Sequence, residues 1–290
     1  ISQSIIIYLG TNGKRLIFAG NNSGLYKRNI ISKTLFFNQC NLTRKKFKNI
    51  LINKNCFSKE NFNKKRIIIL GDSHANMFLK PFKNLVKNNP TYTVNNFSGN
   101  NCSFPVLKNS SLEVSKTCIS EMEKAEIWIK NNLKPDDIVF LANNSFNKIL
   151  FDYFALEERN QISSSIKSYL IRLNKFSRLI NKKGGTVNFL VSVPVFNGVN
   201  GANCSIEWFR PRNSIKDNCF LNRDKIEEPR NKMINYLLLN KNKNTRLIHD
   251  YLDLICDSKV CSAAGYFDSN HITEDLGIKI LINENLIDGS

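Results

Sequence analysis

At 290 residues the chain can bury a full core as one large domain or as one domain plus an extension, and its 42% hydrophobic share is near the globular norm. No apolar run approaches the ~18–20 residues of a membrane span and no signal peptide is visible, so no segment reads as a spanning helix. The net charge of +18 raises nucleic acid and anionic surfaces as partners, but the lysines are scattered among Asn and Ile, which argues against a nucleic-acid-binding protein.

Residues 1–38 carry two β-like runs, Ile5 to Leu9 and Leu16 to Ala19, with turn signals at Thr11-Asn12-Gly13 between them. They read as an extension leading into the main domain, residues 39–290. The first residue is Ile1 and not methionine, as expected of a fragment or a processed form. Residues 39–65 are a polar, basic lead-in bracketed by Cys40 and Cys56, with short basic clusters at Thr43-Arg44-Lys45-Lys46 and Asn63-Lys64-Lys65-Arg66.

Ile67 to Leu70 is apolar without alternation, the pattern of a strand buried on both faces in a parallel sheet. Gly71-Asp72-Ser73-His74 breaks it: the glycine permits a sharp turn, Asp72 bonds local backbone, and Ser73 falls where a helix begins. A serine there sits at the carboxyl edge of the sheet beside helix N-terminal N–H groups, which suits a nucleophile and equally an ordinary N-cap.

Met77 to Val86 follows helical spacing, and Tyr92 to Phe97 is a second strand ending at Ser98-Gly99-Asn100. Glu113 to Leu133 is a helix stopped at Pro135, and Ile138 to Leu141 is a third strand followed by Ala142-Asn143-Asn144-Ser145. A helix over Gln161 to Asn181 leads through Gly184-Gly185 to a strand over Val187 to Val193. Residues 197–224 form a long loop with Trp208 and Phe209, which either border an acceptor groove or pin the loop. Ile226 to Leu239 is helical, Thr245 to His249 is the last strand, and His249 marks its end without a catalytic role. Five strands alternating with helices predict an α/β fold, a three-layer α/β/α sandwich with a mainly five-stranded parallel sheet.

The eight cysteines fall as four successive pairs, Cys40/Cys56, Cys102/Cys118, Cys204/Cys219 and Cys256/Cys261. With three histidines and no Cys-x-x-Cys, a metal site is poorly supported. Four neighbour disulfides in an oxidising compartment fit these polar, loop-like surroundings better than buried free thiols.

Near the end, Asp268-Ser269-Asn270-His271 precedes a final helix over Glu274 to Leu286 that Thr273 caps. An aspartate three residues before a histidine can fix the imidazole tautomer and leave its other nitrogen to take a serine proton. Gly71-Asp72-Ser73-His74 together with Tyr266-Phe267-Asp268-Ser269-Asn270-His271-Ile272-Thr273 resembles the SGNH/GDSL hydrolase superfamily. The likeness is closest to the SGNH domain fused behind the membrane part of bacterial acyltransferase-3 proteins, and covers roughly residues 38–288. Cys102-Ser103-Phe104-Pro105 and the strand end Val191-Ser192-Val193-Pro194-Val195-Phe196 resemble the same branch.

That resemblance implies a flavodoxin-like SGNH fold and a Ser73, His271, Asp268 triad. It implies an oxyanion hole from the N–H groups of Ser73 and Gly99 and a side chain of Asn143 or Asn144. The usual Gly-x-Asn-Asp form is missing here, and in so Asn-rich a chain either asparagine, like Gly99, also reads as an ordinary loop residue. It further implies O-acetyl transfer to a cell-envelope glycan (lipopolysaccharide O-antigen, capsule or peptidoglycan) in the periplasm. The covalently fused transmembrane acyltransferase domain would precede Ile1 and supply the acetyl donor, and no cofactor is expected in this chain. A carbohydrate O-acetylesterase and a non-catalytic glycan-binding module remain alternative readings.

Overall fold

The computed structural model describes residues 40–58, 64–87, 89–106, 116–144, 164–199, 201, 204, 217–239, 247–284 and 286. The expected extension over residues 1–38, and Trp208 and Phe209, lie outside the described residues.

Five strands form one parallel sheet: β1 (Lys65–Gly71), β2 (Tyr92–Ser98), β3 (Ile138–Ala142), β4 (Thr186–Leu190) and β6 (Leu247–His249), in the order β2-β1-β3-β4-β6. Ile67 to Leu70 of β1 are fully buried, as an apolar run between two neighbouring strands and two helical layers requires. The chain steps from β1 outward to β2, then back across β1 to β3, so the order reverses at β1/β3. Open α/β sheets carry ligands at the carboxyl end of such a switch point.

Helices cover both faces. On one lie α2 (Ser73–Asn76), α3 (Leu79–Val86) and α7 (Glu274–Asn283), with Phe82 of α3 stacked on Phe140 of β3 at 4.5 Å between ring centroids. On the other lie α4 (Lys116–Asn132) and α5 (Ser164–Lys182), joined by the Glu126–Arg172 ion pair, with Trp128 of α4 against Phe97 of β2. The expected single helix after Ser73 is two pieces. Pro81 is the third residue of α3, where its missing N–H falls among donors a helix start leaves unpaired in any case. A sixth helix, α6 (Asp224–Leu239), leads to β6.

Two features were not legible as elements. β5 (Phe220–Asn222) pairs antiparallel with β7 (Val260–Ser262), inside segments that read as loop. The lead-in, which also carries α1 (Phe47–Ile52), lines the outer edge of β2. Asn41 bridges Ser98 in parallel, Leu42 N–H donates to the Ser98 carbonyl at 2.9 Å, and Asn96 N–H donates to that of Cys56 at 2.8 Å. An otherwise open sheet edge is thereby paired. The bonds Cys40–Cys56, Cys102–Cys118, Cys204–Cys219 and Cys256–Cys261 are all formed, the first of them closing the lead-in over that edge.

Candidate active site

The turn after β1 is shaped by close approach. Gly71 has φ 143°, and a Cβ there would lie 2.0 Å from the Ala142 carbonyl oxygen, so only glycine lets β1 and β3 end this near each other. Asp72, 1% exposed, caps α2: one carboxylate oxygen accepts from His74 N–H at 2.8 Å and the other from Asn144 N–H at 2.7 Å. A buried carboxylate is tolerable only when its charge is met by donors, and here both are backbone groups, one from each side of the switch point. The sequence showed that Asp72 would bond local backbone; its reach to Asn144, 72 positions away, carries no local signal.

Ser73, the first residue of α2, is half-buried at the carboxyl edge. Its Oγ lies 2.9 Å from Nε2 of His271, 198 positions later in the chain. Nδ1 of that ring is 2.9 Å from each carboxylate oxygen of Asp268. An ionised carboxylate only accepts, so Nδ1 carries the hydrogen and Nε2 presents its lone pair to the Ser73 hydroxyl. Asp268 also accepts from the N–H groups of Asn270 and His271, at 3.0 and 2.8 Å. The loop is closed across its stem by Phe267 N–H to the His271 carbonyl and Thr273 N–H to that of Gly265, and it is held from outside by Phe196 N–H to the Ser269 carbonyl. Tyr266, fully buried at its base, has its phenol pushed well above the usual range by burial and stays protonated.

The expected oxyanion donors fare differently. Gly99 N–H donates to the Gly71 carbonyl at 3.1 Å, because the parallel ladder runs one residue past β2, so this donor is already committed. Asn143 is fully buried: its Oδ1 accepts from Phe104 N–H at 3.0 Å, and its Nδ2 donates to the Phe104 carbonyl at 2.9 Å and meets the Tyr169 hydroxyl at 3.3 Å. It holds the loop at the cis Phe104–Pro105 peptide, and both groups of its side-chain amide are engaged there. Both departures correct the sequence reading. Asn144, half-buried and anchored by Asp72, remains beside the turn.

Of the other two histidines, His74 carries no role in the sequence and His249 reads as a strand end without a catalytic role. His74 is buried, its ring 5.2 Å from that of His271, a placement its position next to Ser73 could have suggested. His249 lies between Asn188, 2.7 Å from Nε2, and Glu284, 3.1 Å from Nδ1, away from Ser73's partners as expected.

A family model described as the SGNH domain fused to AT3 domains matches residues 39–280. The chain belongs to this SGNH family. Among solved structures, the periplasmic domain of a lipopolysaccharide acetyltransferase from Salmonella ser. Paratyphi A matches with a TM-score of 0.63 and 14% identity, over 90% of this chain and 94% of that one. A GDSL-like lipase from Bacteroides thetaiotaomicron matches with a TM-score of 0.40 and 10% identity, over 90% and 95% of the two chains. Comparison with curated proteins gives no match. At 14% identity the Salmonella likeness shows that this SGNH domain shares a fold with that protein. None of the described helices is long and apolar enough to cross a membrane.

Proposed function

We propose that this SGNH domain transfers an acetyl group to a hydroxyl of a cell-envelope glycan through a covalent Ser73 intermediate. The observation that carries the reading is the continuous relay from Ser73 Oγ through His271 to Asp268, each link at 2.9 Å. The family's fusion to AT3 domains supports acyl transfer, with the acetyl group arriving from such a membrane part. The fold likeness to the periplasmic domain of a lipopolysaccharide acetyltransferase supports a periplasmic site and a polysaccharide acceptor.

In the first half-reaction Ser73 Oγ attacks the acetyl carbonyl while His271 Nε2 takes the hydroxyl proton. Asp268 stabilises the imidazolium, and the tetrahedral oxyanion is held by the Ser73 N–H and the Asn144 side chain. The bond to the leaving group breaks, and that group departs with the proton from His271. In the second half-reaction a glycan hydroxyl gives its proton to His271 and attacks the acetyl-serine, and the Oγ–carbon bond breaks as the proton returns to Ser73. Every group in these steps belongs to the protein or to the substrates, so the scheme calls on no cofactor. Water in place of the glycan hydroxyl would give an esterase with the same residues.

Turnover of an activated acetyl ester, with and without added glycan, tests the reading. Ser73→Ala and His271→Ala should each bring it to background, and the double variant should be barely worse, because relay members act as a unit. Asp268→Asn should be milder, and all three should melt within a few degrees of the parent. Acetylated glycan as product marks the transferase; free acetate alone marks the esterase. Full activity in Ser73→Ala would end the proposal, and glycan binding with an inert Ser73 would leave a binding module.

A further inference from the structure

The basic turn Arg44-Lys45-Lys46, which composition alone gave no role, emerges beside the candidate site. Asn41 pairs in parallel with Ser98, so the chain after it leaves the sheet at the same carboxyl edge as Gly99 and Ser73. The turn is tied there twice, by Asn100 N–H donating to Asn41 Oδ1 at 3.1 Å and Leu42 N–H to the Ser98 carbonyl at 2.9 Å, and it is closed on itself by Arg44 and Lys45 N–H donating to the Asn41 carbonyl at 3.0 and 2.9 Å. Thr43 packs against Gly99, whose neighbour Ser98 is the register partner of Gly71, two residues before Ser73. Adjacent strands lie about 4.8 Å apart, so two strand spacings put the start of this turn about 10 Å from the Ser73 turn.

Arg44, Lys45, Lys46 and, one residue into α1, Lys48 are all exposed. The acidic group beneath them is Glu121, whose carboxylate is already engaged by Phe47 N–H at 2.6 Å and by Lys124 at 2.6 Å. Burial works to raise its pKa, but Lys124, that N–H and, more weakly, the charge of Lys46 outweigh it and keep it ionised. A cluster of exposed cations concentrates anionic ligands beside it and steers them in.

We propose that the Arg44–Lys48 turn is an acceptor subsite for an acidic glycan, one that carries carboxylate or phosphate groups on sugars neighbouring the hydroxyl that meets Ser73. This rests on the acyl-transfer reading for its orientation but not for its test, since glycan binding involves no acyl chemistry. Loss of ester turnover would leave the binding result standing, and loss of acid preference would leave the relay standing.

The experiment measures binding of the 290-residue chain to short hyaluronan oligosaccharides and to the same oligosaccharides with their carboxylates reduced to alcohols. The acidic form should bind about 10-fold more tightly at low salt, with the preference fading as ionic strength rises. Lys45→Glu/Lys46→Glu should remove that preference. Lys87→Glu/Lys182→Glu makes the same change of charge at the opposite, amino edge of the sheet and should keep it. Equal binding of the two oligosaccharides, no binding of either, or equal effects of the two double variants would overturn the subsite. So would a Lys45→Glu/Lys46→Glu variant that loses only its attachment to phosphatidylglycerol vesicles, which would make the turn a membrane contact.

Discussion

At the scale of single residues, the neighbouring asparagines Asn143 and Asn144 separate structural from chemical work. Asn143→Ala leaves the buried Phe104 N–H without its partner and the Phe104 carbonyl with the Tyr169 hydroxyl alone, a loss of about 2 kcal/mol. Denaturant unfolding should show it as a lowered midpoint. Asn144→Ala keeps the backbone N–H that Asp72 holds and removes only the side-chain amide, so unfolding should hardly move while ester turnover falls about 100-fold. Turnover unchanged by Asn144→Ala would mean that backbone N–H groups alone hold the oxyanion. The distinction was not available in the sequence, because what commits Asn143 is a loop 39 positions upstream. Ser73, Asp268 and His271 were legible for the opposite reason: each pattern, Gly-Asp-Ser after an apolar run and Asp-x-x-His before a capped helix, is complete within a few residues.

At the scale of elements, the last strand of the main sheet and the end of the last helix are joined through a histidine. His249 at the end of β6 has its pKa pushed below its ordinary 6.5 by burial, against the opposing pull of Glu284, the residue just after α7. Folding therefore favours the neutral ring. The unfolded chain binds a proton first as pH falls, so stability is held above about pH 6.5 and lost as pH drops from there through the lowered folded-state value. His249→Gln, which cannot titrate, should flatten the dependence of melting temperature on pH across that window; an unchanged slope would assign it to other groups. The lead-in makes a second element-scale prediction. Replacing Cys40 and Cys56 by serine removes a cross-link spanning 16 positions, a cost of about 3 kcal/mol in the chain-entropy account. The β2 edge should then open, and light scattering should show concentration-dependent association. The Cys256–Cys261 pair spans 5 positions and covers no edge of the main sheet, so its loss should cost only about 2 kcal/mol without association.

At the scale of the whole molecule, the five-stranded sheet was readable because β1 and β3 are short apolar runs and β2, β4 and β6 set apolar, strand-favouring residues between turn signals, and none of these cues needs a partner to be recognised. The β5–β7 pair was not, since strands of three residues among polar loop sequence leave no period to detect. Nor was the edge-covering role of the lead-in, whose pairing is written in backbone N–H and carbonyl groups that every sequence has. The cysteine pairs were legible from spacing, and their layout along the chain has a bearing on biogenesis. Eight cysteines allow 105 pairings, yet the native one joins each cysteine to its immediate successor, with separations of 16, 16, 15 and 5 and no bond enclosing another. For a chain oxidised in order as it emerges from its N-terminal side, the second thiol of each pair finds its native partner as the only one still reduced behind it. Vectorial oxidation would then reach the native set directly, without a disulfide isomerase to correct it.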